Sequence, residues 1–174
     1  KSYGLMDTAT KQPVTDSTLF QAASISKPVF AMAALKLVEQ GVLQLDADVN
    51  AQLTTWKVPE NAYTAKEKVT LKRLLGHVAG TTVHGFQGYR QGEPLPTLVH
   101  ILNGEAPANS PPVVVDQTPG TAWRYSGGGY CVAAQLLLDV KGGTIPQHMH
   151  DLVLKPLGMN RSTYEQPLPA ALAH

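Results

Sequence analysis

Ser24 and Lys27 stand three residues apart at the head of an apolar stretch. Residues at that spacing share one face of a helix, so the hydroxyl and the amine can meet within hydrogen-bonding reach. A helix start adds unpaired N–H groups and a partial positive charge, which favour a developing alkoxide and help to lower the ammonium pKa of a desolvated lysine. A neutral lysine can then serve as base toward the serine, which makes the pair a candidate nucleophile. The plainer alternative is a serine that caps the helix and a lysine that reaches solvent. Against it, Lys27 is the one charged side chain between Asp16 and Lys36, and burying a lysine without use is costly.

Tyr125-Ser126-Gly127-Gly128-Gly129-Tyr130 precedes a later helix as Ser24 precedes the first. A tyrosine held at a helix mouth by a glycine-rich turn can point its hydroxyl into a cleft. There a neighbouring lysine lowers its pKa and lets it carry the serine proton. The alternative is a half-buried aromatic with a satisfied hydroxyl, ahead of an ordinary loop.

These groups need elements to hold them. From Ile25 to Gln40 the residues are apolar on nearly every side, with Pro28 in the first turn and Gly41 as a stop, which predicts a central, buried helix. A second helix is expected over Val69–Leu75, capped by Thr70 and closed by His77-Val78-Ala79-Gly80. Residues 80–122 hold much of the Gly and Pro without sustained period and read as a long surface excursion. A third helix is expected from Gly129 through Leu138, stopping at Gly142-Gly143, and a fourth over Ile145–Leu154. Residues 1–22 read as a strand, a turn around Lys11-Gln12-Pro13 and an approach segment, so the chain is expected to open inside a strand. With no repeat or linker, residues 1–174 are expected to be a single domain or an intimately packed part of one.

The Phe20–Pro28 segment, followed by Leu37–Asp46, resembles the serine beta-lactamase-like family, which includes class C beta-lactamases, D-alanyl-D-alanine carboxypeptidases and family VIII carboxylesterases. Three further segments match in the family's order: Val69–Gly80, Pro119-Gly120-Thr121 leading to Tyr125-Ser126-Gly127, and Pro156-Leu157-Gly158-Met159. The resemblance implies an α/β (α+β) fold, a helical region packed on an antiparallel sheet that lies mostly outside this chain, as in a fragment lacking the first and last sheet strands. It implies that Ser24 attacks a carbonyl to form an acyl-enzyme, that Lys27 and Tyr125 manage the proton, and that the Ser24 N–H supplies half of an oxyanion hole. Ser126 and Gly127 would line the substrate site. Gly127 stands where many members carry Asn, a departure that favours esters over beta-lactams. The family's Lys-Thr-Gly or His-x-Gly strand motif, due after Tyr164, is not found, and Lys141-Gly142-Gly143-Thr144 reads as a helix cap.

Other residues promise less. His148 and His150 face different directions on a helix and read as surface histidines, so no metal site is expected. His77 reads as a structural hydrogen-bonder, Cys131 as an inert packing residue, and the Gly85–Gly92 stretch as an edge of the cleft. At 43% hydrophobic, 16% charged and net charge +1, the chain is too apolar for disorder and lacks the basic face that nucleic acid requires. No run approaches the roughly twenty apolar residues of a membrane span. A single cysteine excludes an internal disulfide and leaves the compartment open, while the resemblance points to a periplasmic or secreted setting.

The expected activity is a serine hydrolase needing no cofactor, acting on a small-molecule ester, a beta-lactam or a D-alanyl peptide. Two other expectations stand beside it: a non-catalytic penicillin-binding-like module, and one half of a divided enzyme completed by a companion chain.

Overall fold

The computed structural model describes residues 1–90 and 92–172. Helix α1 spans Ser26–Glu39. It ends where Gly41 takes φ +72, with Gly41 N–H donating to Val38 O and Val42 N–H to Leu37 O, both at 2.9 Å. This pair of reversed bonds is the usual left-handed helix stop. The predicted start at Ile25 is displaced, because Ala23–Ile25 forms a separate 3-10 turn that carries Ser24. The expected all-round burial of α1 is corrected too. Phe30, Ala33, Ala34 and Leu37 are buried, whereas Met32 and Leu35 keep 49% and 46% of their surface.

Helix α2, Leu71–Leu75, begins at Thr70, whose side chain accepts from Arg73 N–H. Helix α3, Leu98–Asn103, lies inside the stretch expected to be irregular. Thr97 and His100 exchange side-chain and backbone bonds across its first turn, and Gly104 closes it in the left-handed region. Helix α4 runs from Gly127 to Lys141, starting two residues earlier than predicted because Ser126 caps it by accepting from Gly129 N–H. Helix α5, Ile145–Met149, continues into a π-helical turn, His150–Leu154, which together fill the predicted fourth helix.

The helices share one apolar core. Phe30, Ala34 and Leu37 of α1 join Leu71 and Leu74 of α2, Leu102 of α3, Val132, Leu136 and Leu137 of α4, and Met149 and Val153 beyond. Asp139 of α4 ties down the loop after Ala51, accepting from the N–H groups of Thr54 and Thr55 at 2.6 and 3.0 Å and from Thr55 Oγ1 at 2.7 Å.

The sheet among the described residues is a two-stranded antiparallel one, β1 (Leu5–Asp7) and β2 (Gln12–Pro13), with Leu5 opposite Pro13. Asp7 builds the intervening turn by accepting from Ala9 and Thr10 N–H. Gln12 and Pro13, expected in the turn, therefore belong to the second strand. Helices beside a small antiparallel sheet fit the expected α/β (α+β) class.

Candidate active site

The turn that carries Ser24 sets the geometry. Ala23 has φ +46, a conformation unusual for any residue but glycine, and Ser24, next in the same 3-10 turn, is exposed just ahead of α1. Such outliers persist where surrounding structure imposes them, and they cluster at functional sites. One turn on, Lys27 Nζ donates to Ser24 Oγ at 3.2 Å. The spacing read from the sequence thus brings the two groups together.

Tyr125 completes the group. Lys27 Nζ lies 4.9 Å from the centre of its ring and 5.7 Å from that of Tyr130, so the ammonium sits against two aromatic faces. The Tyr125 phenol is held below its ordinary pKa, first by Lys27 and next by Ser24, against a smaller opposing effect of burial. Its hydroxyl oxygen is shielded from solvent and completes no well-directed hydrogen bond. Lys27 and Ser24 are therefore close to Oη without being locked onto it, the looseness common in sites without substrate.

His77 supports this tyrosine. It sits at φ +58 immediately after α2, with Val78 N–H donating to Arg73 O at 2.9 Å and His77 N–H to Leu74 O at 3.2 Å. Glycine is the common choice at such a left-handed stop, so the imidazole is retained at a conformational cost. Its Nδ1 accepts from Ser126 N–H at 3.1 Å, and its ring stacks on Tyr125 at 4.4 Å. Desolvation, then the charge of Lys27, lowers the His77 pKa. A neutral ring matches the acceptor role of Nδ1. His77 is thus the structural hydrogen-bonder that the sequence suggested.

Ser126 and Gly127 take up places different from those expected. Ser126 is 1% exposed, and its hydroxyl donates to Thr82 O at 2.6 Å while accepting from Gly129 N–H at 2.8 Å. Its side chain is spent on the cap of α4 and does not face a cleft. Gly127 is buried, and its N–H donates to His84 O at 3.0 Å, with Gly128 N–H donating to Val83 O at 3.0 Å. The first two donors of α4 are thus satisfied by the Thr82–Phe86 loop and the third by Ser126.

That docking explains the three glycines. A Cβ at Gly128 would fall 2.7 Å from Thr82 O, one at Gly129 2.7 Å from Thr81 Oγ1, and one at Gly127 3.1 Å from Phe86 Cε2 and 3.2 Å from His84 O. The loop is held at its base by Thr82 N–H donating to Val114 O at 2.8 Å, and Val83 takes φ +63, a rare conformation for a β-branched residue. His84 lies 5.0 Å from the Tyr125 ring. Neither His84 nor Phe86 was singled out by spacing, because what places them is tertiary. Within the Gly85–Gly92 stretch, Gln91 lies outside the described residues.

The other residues fall away from this cluster. Cys131 packs partly exposed against the core, and burial of its thiol pushes the pKa up to about 12. Some of the residue reaches the surface, but thiolate formation depends on the solvation of sulfur, and burial disfavours the reactive thiolate. His148 Nε2 pairs with Gly142 O at 2.6 Å, at the end of α4, and His150 pairs with Asp151 at 2.8 Å.

The profile of the Beta-lactamase family matches residues 1–174. Esterase EstB of Burkholderia gladioli is 30% identical over 190 residues, covering 99% of this chain and 45% of the relative. Lovastatin esterase of Penicillium rubens is 30% identical over 174 residues, covering 88% of this chain and 41% of the relative. Among solved structures, a penicillin binding protein from Bacillus halodurans superposes with a TM-score of 0.72 at 24% identity, over 98% of this chain and 50% of that one. The chain spans less than half the length of these two curated relatives. A family match along its whole length, on a fold shared with a penicillin binding protein, shows that the chain belongs to the beta-lactamase family.

Proposed function

We propose that the chain carries the nucleophile and proton-handling groups of a serine hydrolase that cleaves carboxylic esters by acyl transfer. The observation that supports this most is the grouping of Ser24 Oγ, 3.2 Å from Lys27 Nζ, with a tyrosine whose phenol those two groups make more acidic. Tyr125 as phenolate takes the Ser24 proton while Oγ bonds to the substrate carbonyl carbon, and the Lys27 ammonium stabilises the phenolate. Tyr125 then returns that proton to the departing alcohol as the carbonyl–oxygen ester bond breaks. Water, losing a proton to Tyr125, attacks the acyl-serine; the acid leaves and Ser24 regains its proton. The Ser24 N–H is the oxyanion donor this chain supplies.

Esters are preferred over beta-lactams or D-alanyl peptides for two reasons. Two curated relatives, each 30% identical, are named esterases, and position 127 offers no side-chain amide to a peptide-like substrate. Ser24, Lys27 and Tyr125 act on the substrate; Ser126 serves through the α4 cap.

Intact mass after incubation with a fluorophosphonate and, separately, with a penicillin tests the assignment, with Ser24→Ala as control. One fluorophosphonate adduct, absent from the variant, is the expected result. Failure of the chain alone, with labelling restored by the remaining strands of the family fold, would favour a site completed by a companion chain. No adduct under either condition would leave a ligand-binding module.

A further inference from the structure

Position 127 follows Tyr125 by two residues and opens α4, where a side chain would have to find room. Instead, the space is filled from another part of the chain. The Phe86 ring edge comes within 3.1 Å of where a Cβ on residue 127 would lie, and the His84 carbonyl within 3.2 Å. The loop is firmly seated: the His84 and Val83 carbonyls each accept an α4 N–H at 3.0 Å, and Ser126 Oγ donates to Thr82 O at 2.6 Å. Phe86 nonetheless keeps 40% of its surface. A large ring that is anchored on one edge and open on the other, two residues from His84, whose ring lies 5.0 Å from that of Tyr125, is a wall for an apolar group.

We infer that the Thr82–Phe86 loop takes the place of a side chain at position 127 and that Phe86 is a specificity-determining residue, selecting esters whose hydrocarbon portion packs on its ring. The inference rests on Ser24 being the nucleophile. His84 contributes its carbonyl to the seat and its ring, 5.0 Å from that of Tyr125, to the same rim. Gly127 is then required for the loop to close, and the pocket is apolar where an amide would have made it polar.

The test compares kcat/KM on p-nitrophenyl esters of increasing acyl length, and on acetate esters of increasing alcohol length, for the intact protein and for Phe86→Ala and Phe86→Leu. Fluorophosphonate labelling is run on each. The expected result is a fall of about tenfold in the long-to-short ratio of one series for Phe86→Ala, with Phe86→Leu keeping most of the preference, a scale set by the loss of hydrocarbon contacts in a pocket. Gly127→Asn is expected to lower labelling, and less so in the Phe86→Ala background, since the ring edge is part of the obstruction. Unchanged ratios in both series, with labelling intact, would overturn the role of Phe86 alone. Absence of labelling in the unmodified protein, both alone and with the remaining strands of the family fold, would instead overturn the assignment of Ser24 on which the inference rests.

Discussion

Replacing Ser126 by alanine removes two bonds from the joint between α4 and the Thr82–Phe86 loop. The hydroxyl accepts from Gly129 N–H at 2.8 Å and donates to Thr82 O at 2.6 Å. Loss of an N-cap of this type costs about 1 kcal/mol. The Thr82 carbonyl then loses its donor, and at 1% exposure of residue 126 water has little room to replace it. An unsatisfied buried acceptor costs roughly 1–3 kcal/mol, so the sum is about 2–4 kcal/mol. Because the bonds join α4 to a distant loop, the change should lower the urea midpoint without altering the slope of the transition, the sign of a stability effect rather than a change in surface exposed. It should also reduce fluorophosphonate labelling of Ser24, since Tyr125 is the residue before the cap. A loss under about 0.5 kcal/mol would refute the account of Ser126 as the joint.

Lys27→Met should slow labelling of Ser24 by about 10²–10⁴-fold and raise the titration of the Tyr125 phenol, read by phenolate absorbance, because the cation that lowers it is gone; an unmoved phenol would remove Lys27 from the proton path. In the unmodified protein the rate should fall as pH drops through that lowered phenol pKa, since the phenolate is the acting base. Cys131, its thiol pushed up to about 12, should resist iodoacetamide at pH 8 until the protein is unfolded, and rapid modification of the folded form would contradict its packing. Asp139 is raised by burial but lowered more by the combined donors of Thr54, Thr55 and Gln135. Its folded pKa is thus below the ordinary aspartate value, so its contribution is complete above that ordinary value and lost as pH falls through the folded one. Asp139→Asn should flatten the acid limb of a stability–pH curve, and an unchanged limb would count against this role.

The site was legible where its chemistry is local. Ser24 and Lys27 are three residues apart, and the 3-10 turn leading into α1 converts that spacing into a 3.2 Å contact. Thr70 and Gly41 announce the ends of α2 and α1 because capping is decided within one turn. Helix α3 was concealed for the opposite reason. It is six residues long, and its capping box uses His100 in the place where Glu or Gln would have signalled it. Ser126 shows the limit more sharply. A serine three residues before Gly129 carries a cap signal, yet the motif that makes Tyr125 recognisable also draws Ser126 toward the substrate, and only its contact with Thr82 decides between them.

The strained residues connect these points. Ala23, His77 and Val83 all hold φ near +46 to +63, at the turn bearing the nucleophile, beneath the tyrosine and in the loop over α4. Each side chain pays a local cost that glycine would avoid. His77 returns it through its ring, stacked 4.4 Å from Tyr125. Val83 lends its carbonyl to Gly128 N–H, and Ala23 opens the turn in which Ser24 stays exposed while α1 buries Phe30 and Leu37 in the core. Lys11 takes a similar φ of +58 in the turn between β1 and β2, and Val83 also packs against the core, so positive φ by itself does not mark the site. What sets Ala23 and His77 apart is the contact each position serves, the Ser24–Lys27 pair and the ring stacked on Tyr125.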